Sequence, residues 1–525
     1  MTSLKKHHRI NVPRPAILVL LFFVLLISHH FRTHRIAWSP GWFRDEGTYL
    51  EVAQRIGKAQ LQLGAVNITF VGPNMTHPPL YFMLANIYLK MMHVDMYSFR
   101  MFNAMLGVIA TLLCFLLGHE AGRLPEEREK STTLYAEVLG LVTAAIFAIH
   151  PDAVAYNRMG LPYNLYMIEV ILVAFFALRY LRTRDFFWFL CACITASLSL
   201  ITIYYSLVFI PFLFLCVFVN KKLKHLWALA ATPAPLIIFL VFMSFSDIPG
   251  FHEDINALRR AAEKGSLYVT LIHYSEFFQT GLSYFLGLAG LILIKRKING
   301  RFLIFLYILL IHIVLRKADT IIKFIHYPVI PLLPLVALGC AAIAIWAFEK
   351  AASLSVPGLL VIPVLLAVFL CIQRDRHGIH DRFYTRMDFM LTRNTADNMM
   401  TMSWVNTHSD RDDVVLSSTT LWAGLDAKTS DLAQALAWEG KRVGFYKHTF
   451  PRERFLFSPA VENARYVIMD IFTDQWAQSP PGSFNAPIAE EIERIEENWP
   501  KVFKQGEFRV YENPLFHKKT EKEKR

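Results

Sequence analysis

The chain has 525 residues, 54% apolar and 14% aromatic, with a formal charge of +12. Its Leu, Ile, Val and Phe fall in blocks close to the roughly 20 residues a helix needs to cross a bilayer, which excludes an ordinary soluble protein. The surplus Lys and Arg sit in short clusters between those blocks rather than on one polar domain, a pattern that writes membrane topology and argues against nucleic-acid binding.

The N-terminus carries Lys5, Lys6, Arg9 and Arg14 without an acid, ahead of an apolar run over 15–27. His29, His30 and Phe31 stand where a signal-peptide cleavage site would have small residues, so an uncleaved span with its basic end in the cytoplasm is expected. A long outer loop, 32–97, follows. Tyr49, Val52, Ala53, Ile56 and Leu61 recur at an approximate helical period, which predicts a helix over 45–62 along the membrane surface. Pro78-Pro79 resets the chain before a second such segment at 80–92. Further spans are expected near 99–117, 138–149, 165–181, 186–201, 204–219, 226–245, 282–294, 302–315, 327–348 and 357–372, about eleven in all.

Charge supports this order. Arg179, Arg182 and Arg184, then Lys221, Lys222 and Lys224, then Lys295, Arg296, Lys297 and Arg301 all fall in the expected cytoplasmic loops. Arg259, Arg260 and Lys264, and separately Arg316, Lys317 and Lys323, fall outside. Those cations fit either a lipid phosphate or ordinary pairing with Glu253, Asp254, Glu263 and Asp319. The six cysteines lie in or beside apolar blocks and read as core residues; Cys191-Ala-Cys193 lacks the spacing of a metal or redox pair.

After Gln373 the chain turns polar. Strand-like runs at 414–416, 443–446, 466–469 and 508–511 alternate with helical segments at 430–438 and 489–497. The expected fold is thus an α-helical polytopic membrane module over 1–373 with a C-terminal extracytoplasmic α/β domain over 374–525. Its last residues, HKKTEKEKR, read as a disordered basic tail.

The paired acids Asp45-Glu46 point to chemistry, because carboxylates beside a membrane are costly unless used. DEGTYLEVAQRI, then HPPLYF, then SFRMFNAMLGVI resemble, in order and spacing, the opening of the protein O-mannosyltransferase and ArnT-like aminoarabinose transferase superfamily. Those are integral-membrane glycosyltransferases of the GT-C fold. KFIHYPVIPLLPL is similar to the family's approach to a late span, and WPKVFKQGEFRVYENP to its closing strands.

The resemblance implies inverting transfer of a sugar from a polyprenyl-phosphate donor to an outer-face acceptor hydroxyl or phosphate, on a protein, lipid A or a surface glycan. It implies Asp45 as general base. Glu46, about 100° round a helix, would orient its surroundings. His77, Arg100, Arg158, Lys323 and His326 are the implied contacts to donor phosphate or substrate. Several have plainer readings: acids favoured at a helix N-terminus, a capping role for His77, and an acid partner or interface snorkelling for Arg100.

One position departs from the pattern. Where many relatives place a second Asp, this chain has Asn164, after Arg158, with Asp152 the only stand-in nearby. No tightly held metal is expected, and a divalent cation is left open. Asn67-Ile-Thr and Asn74-Met-Thr match glycosylation sequons that matter only in a eukaryotic lumen. A bacterial or archaeal inner membrane is the expected location. A transporter or flippase of lipid-linked sugars is the rival reading. It lacks the internal repeats such proteins often carry. A non-catalytic scaffold leaves the acid pair unexplained.

Overall fold

The computed structural model describes residues 14–56, 62–67, 78–123, 129–245, 286–287, 289–294, 332–353, 394–443, 452–483 and 485–516. The membrane module runs through α1 (Arg14–Thr33), α2 (Arg44–Ile56), a hairpin of β1 (Gln62–Leu63) and β2 (Val66–Asn67), and α3 (Leu80–Met91). Then come α4 (Met96–Gly122), α5 (Glu129–Ile149), α6 (Pro151–Asn157), α7 (Tyr163–Thr183) and α8 (Phe186–Leu200). α9 (Phe209–Val219), α10 (Leu226–Ala231), α11 (Ala234–Phe245) and α12 (Leu333–Ser353) complete it.

Among the described residues, five helices are long and apolar enough to cross a membrane, or six if the bent pair α5–α6 is one span. Two shorter apolar helices stand beside them. The spans expected at 302–315 and 357–372, part of those at 282–294 and 327–348, and the domain boundary at 373 lie outside the described residues. Leu18, Val19, Phe22 and Phe23 of α1 are exposed, a surface that only lipid makes comfortable.

Local sequence accounts for the breaks. Asp95 caps α4 by accepting from the Ser98 N–H at 2.6 Å. The stretch expected as a span at 226–245 is long and apolar enough to cross as one, Leu223–Val241, and is interrupted between α10 and α11 at Thr232-Pro233, where proline has no N–H to give. α5 and α6 bend by 62° at His150-Pro151, and that bend carries the 158–162 turn toward the first loop. α4 packs against α1, α5 and α7, at the centre of the apolar core.

The C-terminal domain has a five-stranded mixed sheet in the order β4-β3-β5-β7-β6. Its strands are β3 (Val414–Leu416), β4 (Lys428–Ser430), β5 (Ala464–Met469), β6 (Lys501–Gln505) and β7 (Phe508–Glu512). β3 runs parallel to β4 and β5, while β7 is antiparallel to β5 and β6. Alternation along β5 sends Val467 and Met469 into one core and Tyr466 and Ile468 into the other. Helices α13 (Thr395–His408), α14 (Thr419–Trp422), α15 (Leu432–Trp438), α16 (Ile471–Ala477) and α17 (Ala486–Asn498) cover it. The expected helices at 430–438 and 489–497 are present, as are three of the four expected strands; of the fourth, 443–446, all but Val443 lies outside the described residues, as does the tail from 517.

The surface-helix reading of α2 needs correction. Glu46, Gly47, Tyr49, Leu50, Glu51 and Ala53 are buried, because α2 is covered by the spans on one side and the C-terminal domain on the other. Phe472, from α16 of that domain, joins the same apolar core as Phe43 and Tyr49. The β1–β2 hairpin is inserted further: the Ala65 N–H donates to Gln434 Oε1 at 3.0 Å and its carbonyl accepts from the Leu456 N–H at 2.9 Å.

Candidate active site

The acid pair opens α2, and its two members have separate fates. Glu46 is fully buried. Its carboxylate accepts from Nε and Nη2 of Arg100, the former at 2.9 Å, and from the N–H groups of Phe43 at 2.9 Å and Gly160 at 2.6 Å. Arg100 also donates to the carbonyls of Ile36, Pro40 and Gly41 at 2.8–3.0 Å. All five of its N–H donors are therefore in use. Of the phosphate or acid partner that sequence reasoning allowed for Arg100, the described residues show the acid, Glu46, and the pair locks the first turn of α2 onto α4 and the loop before it.

Arg158 has a similar employment. Its guanidinium donates to the carbonyls of Phe31, His34 and Ser39 at 2.6–2.9 Å. It too ties the connection leaving α1, a role its position after α6 did not suggest.

Asp45 differs. It is half-buried, and among the described residues nothing donates a hydrogen bond to its carboxylate. Burial pushes its carboxyl up to about 6, Arg44 opposes that shift, and the Glu46 charge adds to it. Burial raises the Tyr49 hydroxyl, one helical turn on, and the Asp45 charge adds to that rise. A carboxylate poised near 6 is suited to take a proton at neutral pH.

Beneath α2 runs a chain of side-chain amides. Arg32 Nε donates to Asn157 Oδ1 at 3.0 Å, Asn157 Nδ2 to Asn164 Oδ1 at 2.8 Å, and Asn164 Nδ2 to Asn103 Oδ1 at 3.0 Å. Asn103 pairs in turn with the Tyr81 hydroxyl. Asn164 Nδ2 also approaches the carbonyls of Tyr156 and Met159. The amide at 164 is thus a link across α1, α6, α7, α4 and α3, a position that calls for donors no carboxylate supplies. Asp152 is buried on α6.

Sequence reasoning missed the partner on the far side of α2. Thr419 Oγ1 donates to the Arg44 carbonyl at 2.8 Å. A Cβ at Gly47 would lie 2.0 Å from the Thr419 carbonyl oxygen, so only glycine lets the two chains meet. The signal was present as a glycine inside the first turn of a helix, where it is otherwise unfavourable.

His77, Lys323 and His326 lie outside the described residues. Leu80, three residues after His77, donates its N–H to the Ile201 carbonyl at 3.0 Å, which seats the Pro-Pro-Leu step against the end of α8. Among the described residues no group of three or more His, Cys, Asp or Glu side chains is placed to hold a metal ion.

ArnT from Cupriavidus metallidurans, bound to undecaprenyl phosphate, has the same architecture at 12% identity and a TM-score of 0.60, over 95% of this chain and 97% of that one. The apo oligosaccharyltransferase of Archaeoglobus fulgidus matches at 13% identity and a TM-score of 0.55, over 91% of this chain and 72% of the other. This chain has the GT-C fold. The likeness read from the three ordered motifs is therefore one of whole architecture. No family model and no curated protein sequence matches the chain. In this GT-C chain, the Asp45 carboxylate, which accepts no hydrogen bond among the described residues, sits at the seam between helical module and C-terminal domain.

Proposed function

We propose that the protein is an integral-membrane glycosyltransferase that moves a sugar from a polyprenyl-phosphate carrier to an acceptor at the outer face. Asp45 takes the proton from the acceptor hydroxyl as its oxygen attacks the anomeric carbon. The bond from that carbon to the carrier phosphate breaks on the opposite side, which inverts the configuration. The departing phosphate needs cations, and His77, Lys323 and His326 are the proposed donors. Arg100 and Arg158 hold the loop that carries Asp45, and Glu46 fixes its helix.

The observation that carries this reading is the contrast within one helical turn: Glu46 saturated with donors, Asp45 with none among the described residues and pushed up to about 6. The shared fold supports the donor class, since one neighbour is bound to undecaprenyl phosphate and another, AglB from A. fulgidus, is in complex with an inhibitory peptide and dolichol-phosphate. The acceptor is a hydroxyl or phosphate of a protein, lipid A or a surface glycan. The proposed setting is a bacterial or archaeal inner membrane, with the N-terminus in the cytoplasm and the C-terminal domain outside.

The test is reconstitution of the full chain in liposomes with a radiolabelled polyprenyl-phosphate sugar and an extract of envelope acceptors. Transfer of label that disappears in D45N supports the reading. Movement of the lipid-linked sugar across the bilayer without transfer, unaffected by D45N, overturns it in favour of a flippase. Repeating the assay in excess chelator decides whether a divalent cation takes part.

A further inference from the structure

We propose that the C-terminal domain positions the base: Arg44 and Thr419 hold the first turn of α2 from outside, as Arg100 holds it from the spans. This rests on the reading of Asp45 as general base and assigns the domain a part in the same reaction.

Four arginines among the described residues bear on the segment around Asp45. Arg32, Arg100 and Arg158 spend their guanidinium groups on carbonyls, a side-chain amide and Glu46. Arg44 makes no side-chain hydrogen bond among the described residues. Its guanidinium lies instead over the rings of Trp476 at 4.7 Å and Phe472 at 5.9 Å, both from α16. The residue just before Asp45 is therefore moored to the C-terminal domain by its side chain. Its carbonyl is moored a second time, by Thr419 Oγ1, and Gly47 lies flush against the Thr419 backbone.

The moorings form one unit. Ser418 Oγ donates to Asp470, whose carboxylate also accepts from the N–H groups of Phe472 and Thr473 and so caps α16. One buried acid thus links the 417–420 turn to the helix that carries both rings. Trp422 Nε1 donates to the Ser417 carbonyl at 3.2 Å, and the Ser417 N–H to the Ser430 carbonyl at 2.8 Å. The turn is braced on its own sheet. Asp45 sits between residues clamped from opposite sides, Arg44 by the domain and Glu46 by the spans, so the direction of its carboxylate depends on both.

The test uses the full chain in liposomes, with variants chosen to separate charge from contact. T419V removes one hydrogen bond and keeps the shape; R44A removes cation and stacking. Both are expected to lower kcat on the order of tenfold or more, the scale of a small misplacement of a reacting group, with KM for the lipid donor unchanged. Arg44 is the cation acting on Asp45, which otherwise faces Glu46 and Tyr49, while Asp431 and Asp470 lie around Arg44. R44A is therefore expected to move the acid limb of the rate profile to higher pH, and T419V to leave it in place. T419S and R44K are expected to recover most of kcat. If R44A does not yield folded protein, R44M keeps the stem over the rings without the charge. Wild-type kcat and an unmoved acid limb in both variants, with D45N inactive, would overturn the positioning role alone. Activity in D45N would overturn the reading of the base itself.

Discussion

The two faces of the first turn of α2 solve opposite problems with adjacent residues. Toward the spans, Glu46 is a buried charge with four donors around it, the arrangement a desolvated carboxylate requires. On its flank, Asp45 keeps partial exposure and has no donor among the described residues. The difference teaches how to tell a structural acid from a reactive one. The first is recognised by a complete set of partners, the second by an environment that raises its pKa without consuming its lone pairs.

The sharpest way to break that contrast is D45N. Loss of a general base is expected to cost ~10²–10⁴-fold in kcat. The stability consequence has the opposite sign. The Asp45 pKa is raised on folding, so the folded state holds more protons than the unfolded one between the ordinary carboxylate value and about 6, and stability falls as pH rises through that window. D45N is thus expected to match or exceed the wild type in thermal stability above pH 6, read by melting in detergent. In the wild type, the acid limb of kcat/KM is expected near pH 6. A limb near 4 would mean that Asp45 titrates as an ordinary solvated acid.

E46Q tests the other face. Removing the charge leaves the Arg100 guanidinium buried beside a neutral amide. Breaking such a pair costs ~3–5 kcal/mol, so E46Q is expected to lose thermal stability strongly where D45N does not. N164D asks whether the amide chain tolerates an acid. It removes the donor shared by Asn103 Oδ1 and two carbonyls and is expected to cost ~1–3 kcal/mol without creating a second base. G64A is the mildest change. Gly64 has φ +57, and a Cβ there meets Gln434 Oε1 at 2.7 Å; a loss on the order of 1 kcal/mol is expected, seen as freer proteolysis at the hairpin.

What could be read from the sequence was local. The Asp-Glu pair, the Pro-Pro step and the Arg-Met-Phe-Asn run each occupy a few residues, and their order carried the fold. The apolar blocks carried the helices, and alternation carried the longer strands. β4, three residues of Lys-Thr-Ser, has no alternation to show. What could not be read was pairing at a distance. A cation at the edge of a span serves a phosphate or an internal carboxylate equally well on paper; Glu46, 54 residues before Arg100, decides for the second. Asparagine has no periodic signature, so the amide chain was invisible, and Asn164 looked like a missing acid rather than a link. The burial of α2 was hidden because its cover arrives some 375 residues later.

The hairpin at 62–67 sets a schedule. Its anchor on Gln434 is separated from it by 369 residues of chain. At ribosomal speeds of roughly 5–20 residues per second, that is a wait on the order of half a minute. Throughout that interval the nascent polypeptide can thread its helices but cannot finish the segment that bears its acids. The enzyme proposed here is armed late, once the ribosome has passed the residues that close over its first loop.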